Sequence, residues 1–210
     1  MNSARPTTAS GVRTNTGAPG SCGAAAASSP GACVTPLPVT AVLFDRDGTL
    51  VVDVPYNGDP DRVRLLPGAR RALAAVRGAG LATGVVSNQS GVGRGLISHA
   101  DVRRVNARVD SLLGGVDVWL YCPHLPEEGC DCRKPRPGLV LRAARLLGRA
   151  PGECVVIGDI GADLAAARAA GARGVLVPNP ATRPEEVAGA PESAPDLLTA
   201  VRTLLDGGRS

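Results

Sequence analysis

Four short stretches of this 210-residue chain hold the side chains best suited to chemistry. DRDGT (Asp45–Thr49) carries two carboxylates two positions apart, which an extended backbone points to one side before Gly48 turns the chain. One can attack while the other handles protons; an ordinary Asp- and Gly-rich turn is the plain alternative. GDIGAD (Gly158–Asp163) adds Asp159 and Asp163. Acids from separate segments can share one hard cation such as Mg²⁺, and four carboxylates gathered without a metal would repel one another. Asp163 reads equally well as an acid in the first turn of a helix, where the dipole favours it. Lys134 is the single lysine beside 22 arginines. A compact ammonium and a planar fork differ physically, so a lone Lys suggests a place where the ammonium itself is needed, here to balance the acids. Ser87 and Asn88 offer a hydroxyl and an amide to phosphate oxygens. Together these groups suit cleavage of a phosphate monoester, with a carboxylate taking up the phosphoryl group and a metal neutralising charge.

A further stretch, CPHLPEEGCDC, places Cys122, His124, Cys130 and Cys132 in a C-x-H-x5-C-x-C pattern. Four soft or borderline ligands within eleven residues suit a closed, structural Zn²⁺ site better than a catalytic one with an open position. Residues 1–37 lack the basic start and continuous apolar run of a secretory signal, so disulfides or free thiols are the weaker alternatives and the expected location is the cytoplasm. Cys132 lies two residues before Lys134, so the metal would fix the loop that carries the lysine. Cys22, Cys33 and Cys154 read as bystanders, and His99 as a solvated residue at a helix start.

The elements that must position these groups follow from the apolar pattern. Strands are expected at Val39–Phe44, Leu81–Ser87, Val116–Tyr121, Cys154–Ile157 and Gly174–Val177. Helices are expected at Pro67–Val76, from a Ser98 cap to Leu113, at Pro137–Leu147, at Gly161–Ala170 and near Asp196–Leu205, with a Pro-rich loop before the last. Strands alternating with helices imply an α/β fold whose parallel sheet is covered on both faces. Ligands in such sheets sit beyond the carboxyl ends of the strands. There stand Asp45 and Asp47, Ser87 and Asn88, the Cys/His cluster with Lys134, and Asp159 with Asp163.

Composition bounds the alternatives. Residues 1–37 are rich in Ala, Gly, Ser, Thr and Pro and are expected to be disordered, leaving one domain over 38–210. The formal charge of +4 includes Arg5 and Arg13 of that leader, and aromatics are only 2%. Neither an electrostatic track nor a stacking platform for nucleic acid is present, and no apolar run is long enough to span a membrane. A zinc-stabilised binding module would explain the Cys/His cluster but not the acids and the lone lysine. With no long amphipathic stripe left over, a monomer is expected.

In order, DRDGT, the Ser87-Asn88 strand end, Lys134 and GDIGAD resemble the four motifs of the haloacid dehalogenase-like (HAD) phosphatases, over about residues 39–180. The resemblance implies a three-layer, Rossmann-like fold. It implies Asp45 as the nucleophile that becomes an aspartyl-phosphate, and Asp47 as general acid and then base. It also implies Mg²⁺ held by the Asp45 carboxylate, the Asp47 carbonyl and Asp159, with Ser87 and Lys134 holding the phosphoryl group and Asp163 as a supporting acid. Only 39 residues separate Asp47 from Ser87 and 46 separate Ser87 from Lys134, so the enzyme should be essentially capless. The zinc loop followed by CRKP looks like the subgroup of heptose 1,7-bisphosphate and histidinol-phosphate phosphatases. SNQSGVGRG and RKPRPG are closer to the heptose type. That likeness implies substrate contacts from Asp53, Tyr56, Ser87, Asn88, Gln89, Ser90, Arg133 and Lys134, with Arg133 on the distal phosphate and Arg94 as a further candidate. Ile160 stands where some heptose enzymes carry a basic residue.

Overall fold

A computed structural model describes residues 38–207; the expectation of a disordered leader at 1–37 lies outside the described residues. Five strands form one parallel sheet: β1 (Ala41–Phe44), β2 (Ala82–Asn88), β3 (Val118–Cys122), β4 (Cys154–Gly158) and β5 (Arg173–Leu176), in the order β3-β2-β1-β4-β5. The helices are α1 (Ala69–Gly78), α2 (His99–Leu113), α3 (Gly138–Leu146), α4 (Gly161–Ala170), α5 (Pro184–Ala188) and α6 (Leu197–Gly207).

The two faces of β1 separate two cores because successive strand side chains point in opposite directions. Val42 and Phe44 pack with α1, α2 and α6. Ala41 and Leu43 pack with α3 and α4, whose buried faces include Val140, Ala143, Ala166 and Ala167. Small residues on α4 let that helix lie close to the sheet, which compensates for a chain with few aromatics. The expected three-layer α/β architecture is therefore present, and the Asp47–Ser87 segment holds a loop and α1 with no inserted domain.

Element ends differ from the sequence expectation by a residue or two. The third strand starts at Val118 rather than Val116, because the Val116 N–H is taken by Asp110 Oδ1 (2.9 Å) and cannot join the ladder. The last strand is shifted one residue earlier, to Arg173–Leu176. The Pro-rich loop contains an unexpected short helix, α5, with Pro184 in its first turn and Glu186 accepting from the Arg183 N–H (3.1 Å). Ser98 caps α2 as expected, with Asp101 returning the bond to the Ser98 N–H (2.7 Å). Among the described residues no helix is long and apolar enough to cross a membrane.

Candidate active site

Parallel pairing of β1 and β4 sets Phe44 beside Ile157, so Asp45 leaves the sheet level with Gly158 and Asp159 follows one residue beyond. The Asp45 N–H continues the ladder to the Ile157 carbonyl (2.9 Å). Asp163 joins them from the first turn of α4. Ligand oxygens of Asp45, Asp159 and Asp163 all lie within 4.8 Å of one another, and the three residues are 7%, 7% and 0% exposed. Gly158 is needed for this approach, since a Cβ there would stand 2.3 Å from the Asp163 carboxylate.

Lys134 enters from the loop after β3 and is buried. Its Nζ lies 2.6 Å from Asp45 Oδ1, 2.6 Å from Asp163 Oδ1 and 2.8 Å from the Val86 carbonyl. Burial alone would lower the lysine pKa, but Asp163 and Asp45 outweigh it and hold the ammonium above its ordinary range. Asp163 satisfies both readings of the sequence: one oxygen faces Lys134, and the other accepts from the Ile160 N–H (3.3 Å) at the start of α4.

When all three acids are ionised, one ammonium leaves the cluster two charges negative. Burial first, then Asp163 and the other neighbouring acids, push Asp45 up to about 8 against the pull of Lys134. Burial and Asp163 push Asp159 up to about 6. Asp163 Oδ1 meets Lys134 as an ion pair without directed hydrogen-bond geometry and has no other donor. A buried, oxygen-only, electron-rich donor set of this kind fits one hard divalent cation. Both shifted acids hold protons in the metal-free folded state that the unfolded chain would release above pH about 4. Metal-free stability should therefore fall as pH rises from about 4 to about 8. A bound cation displaces those protons, so Mg²⁺ affinity should rise about tenfold per pH unit for each proton released. Mg²⁺ titration in weakly buffered solution at pH 7 should release about one proton; a pH-independent affinity with no release would contradict this account.

Asp47 is not part of the metal-sized cluster. Its carboxylate accepts from Arg46 Nε (3.1 Å) and Nη2 (2.9 Å) and from Gln89 Nε2 (2.7 Å). Arg46 is 2% exposed, and its third contact is Asn106 Oδ1 on α2 (2.6 Å). The Gly48 and Val51 N–H groups close the turn on the Val51 and Arg46 carbonyls, so the Asp47 carbonyl takes no part in it. Gln89 also donates to Ser87 Oγ (2.8 Å), which ties the Asp47 carboxylate and the serine hydroxyl into one network.

Asn88, expected to contact the substrate, lines the cavity and also holds the lysine loop. Its Nδ2 donates to the Lys134 carbonyl (3.0 Å), and its Oδ1 accepts from the Lys134 N–H (3.1 Å). Both amide functions thus grip the lysine backbone. Asn88→Ala should lower kcat about tenfold or more while changing KM little, at a stability cost of about 1–2 kcal/mol for the two bonds. A rise in KM with kcat unchanged would restore the substrate-contact reading.

Asp45, Asp47, Asp53, Tyr56, Ser90 and Lys134 line a cavity of about 320 Å³, together with Ser87, Asn88 and Gln89. Burial raises Asp53, and Asp47 adds to the shift. Tyr56 has a φ of 51° and sits against Gly91, where a Cβ would meet its ring at 2.8 Å. Such backbone strain at a cavity rim is a common mark of a functional position. The two arginines do not join this lining. Arg94 is exposed, and half-buried Arg133 has Nη1 3.4 Å from the His124 carbonyl in the Cys/His loop. A larger hollow of about 680 Å³ between α4, β5 and α5 contains none of the strand-end acids.

The four predicted zinc ligands converge at the end of β3. Cys132 Sγ lies 3.2 Å from Cys122 Sγ and 3.5 Å from Cys130 Sγ, and His124 Nδ1 lies 3.2 Å from Cys132 Sγ and 3.4 Å from Cys122 Sγ. These separations are much longer than a disulfide and a little shorter than the edge of about 3.8 Å expected of a tetrahedron with Zn–S near 2.3 Å. The donor set fits zinc. Cys154 lies apart in β4, and His99 at the surface meets Tyr121 Oη through Nδ1 (2.8 Å).

Sequence reasoning missed the residues that hold the strand-end acids. Arg46 and Asn106 orient Asp47; Thr49 donates to Asp159 Oδ1 (3.3 Å); and Asn179 and Thr182 grip Asp159 from the loop after β5. The strand-end rule that located the first four sets applies equally to the fifth strand and points to Asn179.

Comparison with known proteins places this geometry. Residues 131–206 match a HAD-hydrolase-like family model. The chain is 36% identical over 141 residues to the D-glycero-β-D-manno-heptose-1,7-bisphosphate 7-phosphatase of Pseudomonas aeruginosa, covering 65% of this chain and 79% of that protein. Its counterpart in Pseudomonas putida is 38% identical over 141 residues, covering 65% and 81%. The chain belongs to this family of HAD phosphatases. Among solved structures, a D,D-heptose 1,7-bisphosphate phosphatase from B. bronchiseptica, complexed with magnesium and phosphate, aligns with a TM-score of 0.73 at 32% identity. That alignment covers 80% of this chain and 99% of the other. As a HAD phosphatase, the protein has the resembled fold and the phosphomonoester chemistry that its strand ends suggested.

Proposed function

We propose that this HAD phosphatase removes the 7-phosphate of D-glycero-D-manno-heptose 1,7-bisphosphate in a Mg²⁺-dependent reaction through an aspartyl-phosphate. The observation that carries the proposal is the buried Lys134–Asp45 pair (2.6 Å) at the floor of a cavity lined by Asp47, Ser87 and Asp159. In this reading Asp45 attacks phosphorus through a carboxylate oxygen, and the phosphorus–oxygen bond to the sugar breaks. Asp47 gives its proton to the departing sugar oxygen, then takes one from the water that attacks the aspartyl-phosphate, regenerating Asp45 and releasing inorganic phosphate. Lys134 and Ser87 hold the phosphoryl oxygens, and Arg46 with Gln89 keeps Asp47 aimed between its two tasks. Mg²⁺ held by Asp45, Asp159 and the Asp47 carbonyl would supply positive charge against the phosphoryl oxygens. Asp163 acts as the counter-ion of Lys134. Asp53, Tyr56 and Ser90 at the rim, with Arg133 and Arg94 outside it, are proposed to meet the sugar and its distal phosphate.

One chain supplies every group of the site, so the proposal includes a monomer. The reduced Cys/His set, read as a structural zinc site, is compatible with the proposed cytoplasmic location. The test is phosphate release with Mg²⁺ from both anomers of heptose 1,7-bisphosphate and from histidinol phosphate. The names of the curated relatives specify the β anomer, so that anomer is expected to turn over fastest. Preference for histidinol phosphate would overturn the substrate and leave the catalytic roles standing. Absence of turnover on every ester would overturn both and favour a zinc-stabilised binding module.

A further inference from the structure

We infer that the turn Asn179–Thr182 is a positioning device for Asp159 and sets the affinity of this chain for its divalent cation; the inference rests on the reading of Asp159 as a ligand. Asn179 stands three residues beyond the end of β5. Its Nδ2 donates to Asp159 Oδ2 (2.7 Å) and to the Gly48 carbonyl (3.2 Å), which bridges the turn after β1 to the acid after β4. Thr182 takes the other end of the same residue, its hydroxyl donating to the Asp159 backbone carbonyl (2.7 Å).

The turn also fixes itself. Asn179 Oδ1 accepts from the Ala181 N–H (2.8 Å), so the amide rotamer is set and Nδ2 must face Asp159. The Asn179 N–H donates to Thr182 Oγ1 (2.9 Å), and the Thr182 N–H returns to the Asn179 carbonyl (3.0 Å). Gly48 completes the enclosure: a Cβ at that position would lie 2.3 Å from Asp159 Oδ2 and 2.9 Å from Asn179 Nδ2. Asp159 is thereby held at its carboxylate and at its backbone by two segments of chain, the turn after β5 and the turn after β1.

A carboxylate has about four lone-pair positions, and the two donors Asn179 and Thr49 leave the others for a cation. The choice of a neutral amide matters physically. A lysine or arginine in its place would orient the carboxylate equally well but would repel the cation, whereas an amide orients without adding charge. Asn179 itself does not line the cavity; its side chain reaches the site through the Asp159 carboxylate and the Gly48 carbonyl. Outer partners that orient a ligand typically contribute 10–100-fold in metal affinity.

The experiment is calorimetric titration of Mg²⁺ into the full chain, alongside melting of the metal-free protein, for wild type, Asn179→Ala, Thr182→Val and Asp159→Asn. Asn179→Ala is expected to weaken Mg²⁺ binding about 10–100-fold and Thr182→Val several-fold, while metal-free melting falls by no more than the few degrees that the lost hydrogen bonds account for. A merely structural role would move melting and leave affinity alone. Asn179→Ala affinity within twofold of wild type, while Asp159→Asn loses binding, would overturn the inference and leave Asp159 a ligand. Wild-type affinity in Asp159→Asn would overturn the ligand reading and the inference with it. Should Asn179→Ala fail to fold, the isosteric Thr182→Val decides by the same comparison.

Discussion

Asp45→Asn is expected to reduce phosphate release by on the order of 10⁴-fold or more while leaving the protein folded and at least as stable as wild type. The amide is isosteric but has no anionic oxygen with which to attack phosphorus. The stability half of the prediction follows from the charge balance. In wild type without metal, Asp45 is surrounded by Asp47, Asp159 and Asp163 with one buried ammonium between them, and burial with these acids pushes it up to about 8. Folding near neutral pH therefore requires this acid to take up a proton that it lacks in the unfolded chain. Asparagine removes that requirement, and Lys134 keeps Asp163 at 2.6 Å as its partner. Metal-free Asp45→Asn should accordingly melt higher than wild type at pH 8 and lose that advantage as pH falls toward 4. Turnover within tenfold of wild type would show that the nucleophile is another group, and a lower melting temperature at pH 8 would contradict the charge account.

Removal of the proposed zinc, by chelation or by Cys132→Ser, should lower stability by about 3 kcal/mol or more, roughly 6–12 °C in melting temperature for a domain of this size, and should suppress turnover as well. From Pro123 to Pro137 the chain contains one 3₁₀ turn, Pro126–Glu128, and few backbone bonds to the rest of the protein. Its apolar content is too low to fold by burial. Cys132 is two residues from Lys134, and Cys122 closes β3, so a metal across them would join the sheet to the loop that carries the lysine. Without it, Asn88 alone would hold the Lys134 backbone. A buried lysine that leaves its place strands Asp45 and Asp163 without their cation, a change that typically costs about 3–5 kcal/mol. Calorimetric melting and phosphate release on the chelated protein check this. An unchanged melting curve with full activity would mean that the four ligands hold no structural metal. In assays that all contain Mg²⁺, loss of activity restored by added Zn²⁺ is the expected pattern.

Much of this protein was legible without coordinates, for reasons that differ by residue. Strand ends in a parallel sheet are local features, so Asp45, Ser87 and Asp159 were located by finding the apolar runs that precede them, and Lys134 by being the single lysine beside 22 arginines. Cys122, His124, Cys130 and Cys132 were legible because four metal ligands within eleven residues need no long-range folding to meet. Element ends were less so: nothing local announces that Asp110 takes the Val116 N–H and delays β3, or that Pro184 begins a helix inside a Pro-rich stretch.

Residue types and short spacings were enough to pick out the candidate reacting groups and their order along the chain, because that chemistry is local. Which of them face the cavity, and what holds them there, depends on the folded arrangement. Asn88 lines the cavity and also grips the backbone of Lys134, 46 positions along the chain. Arg46, which no sequence pattern singles out, is buried against Asn106 on α2. Asn179 reaches Gly48 across 131 positions. Such partners are set by strand order and helix packing, and contacts between residues this far apart leave no periodic signal in the chain for a sequence reading to detect.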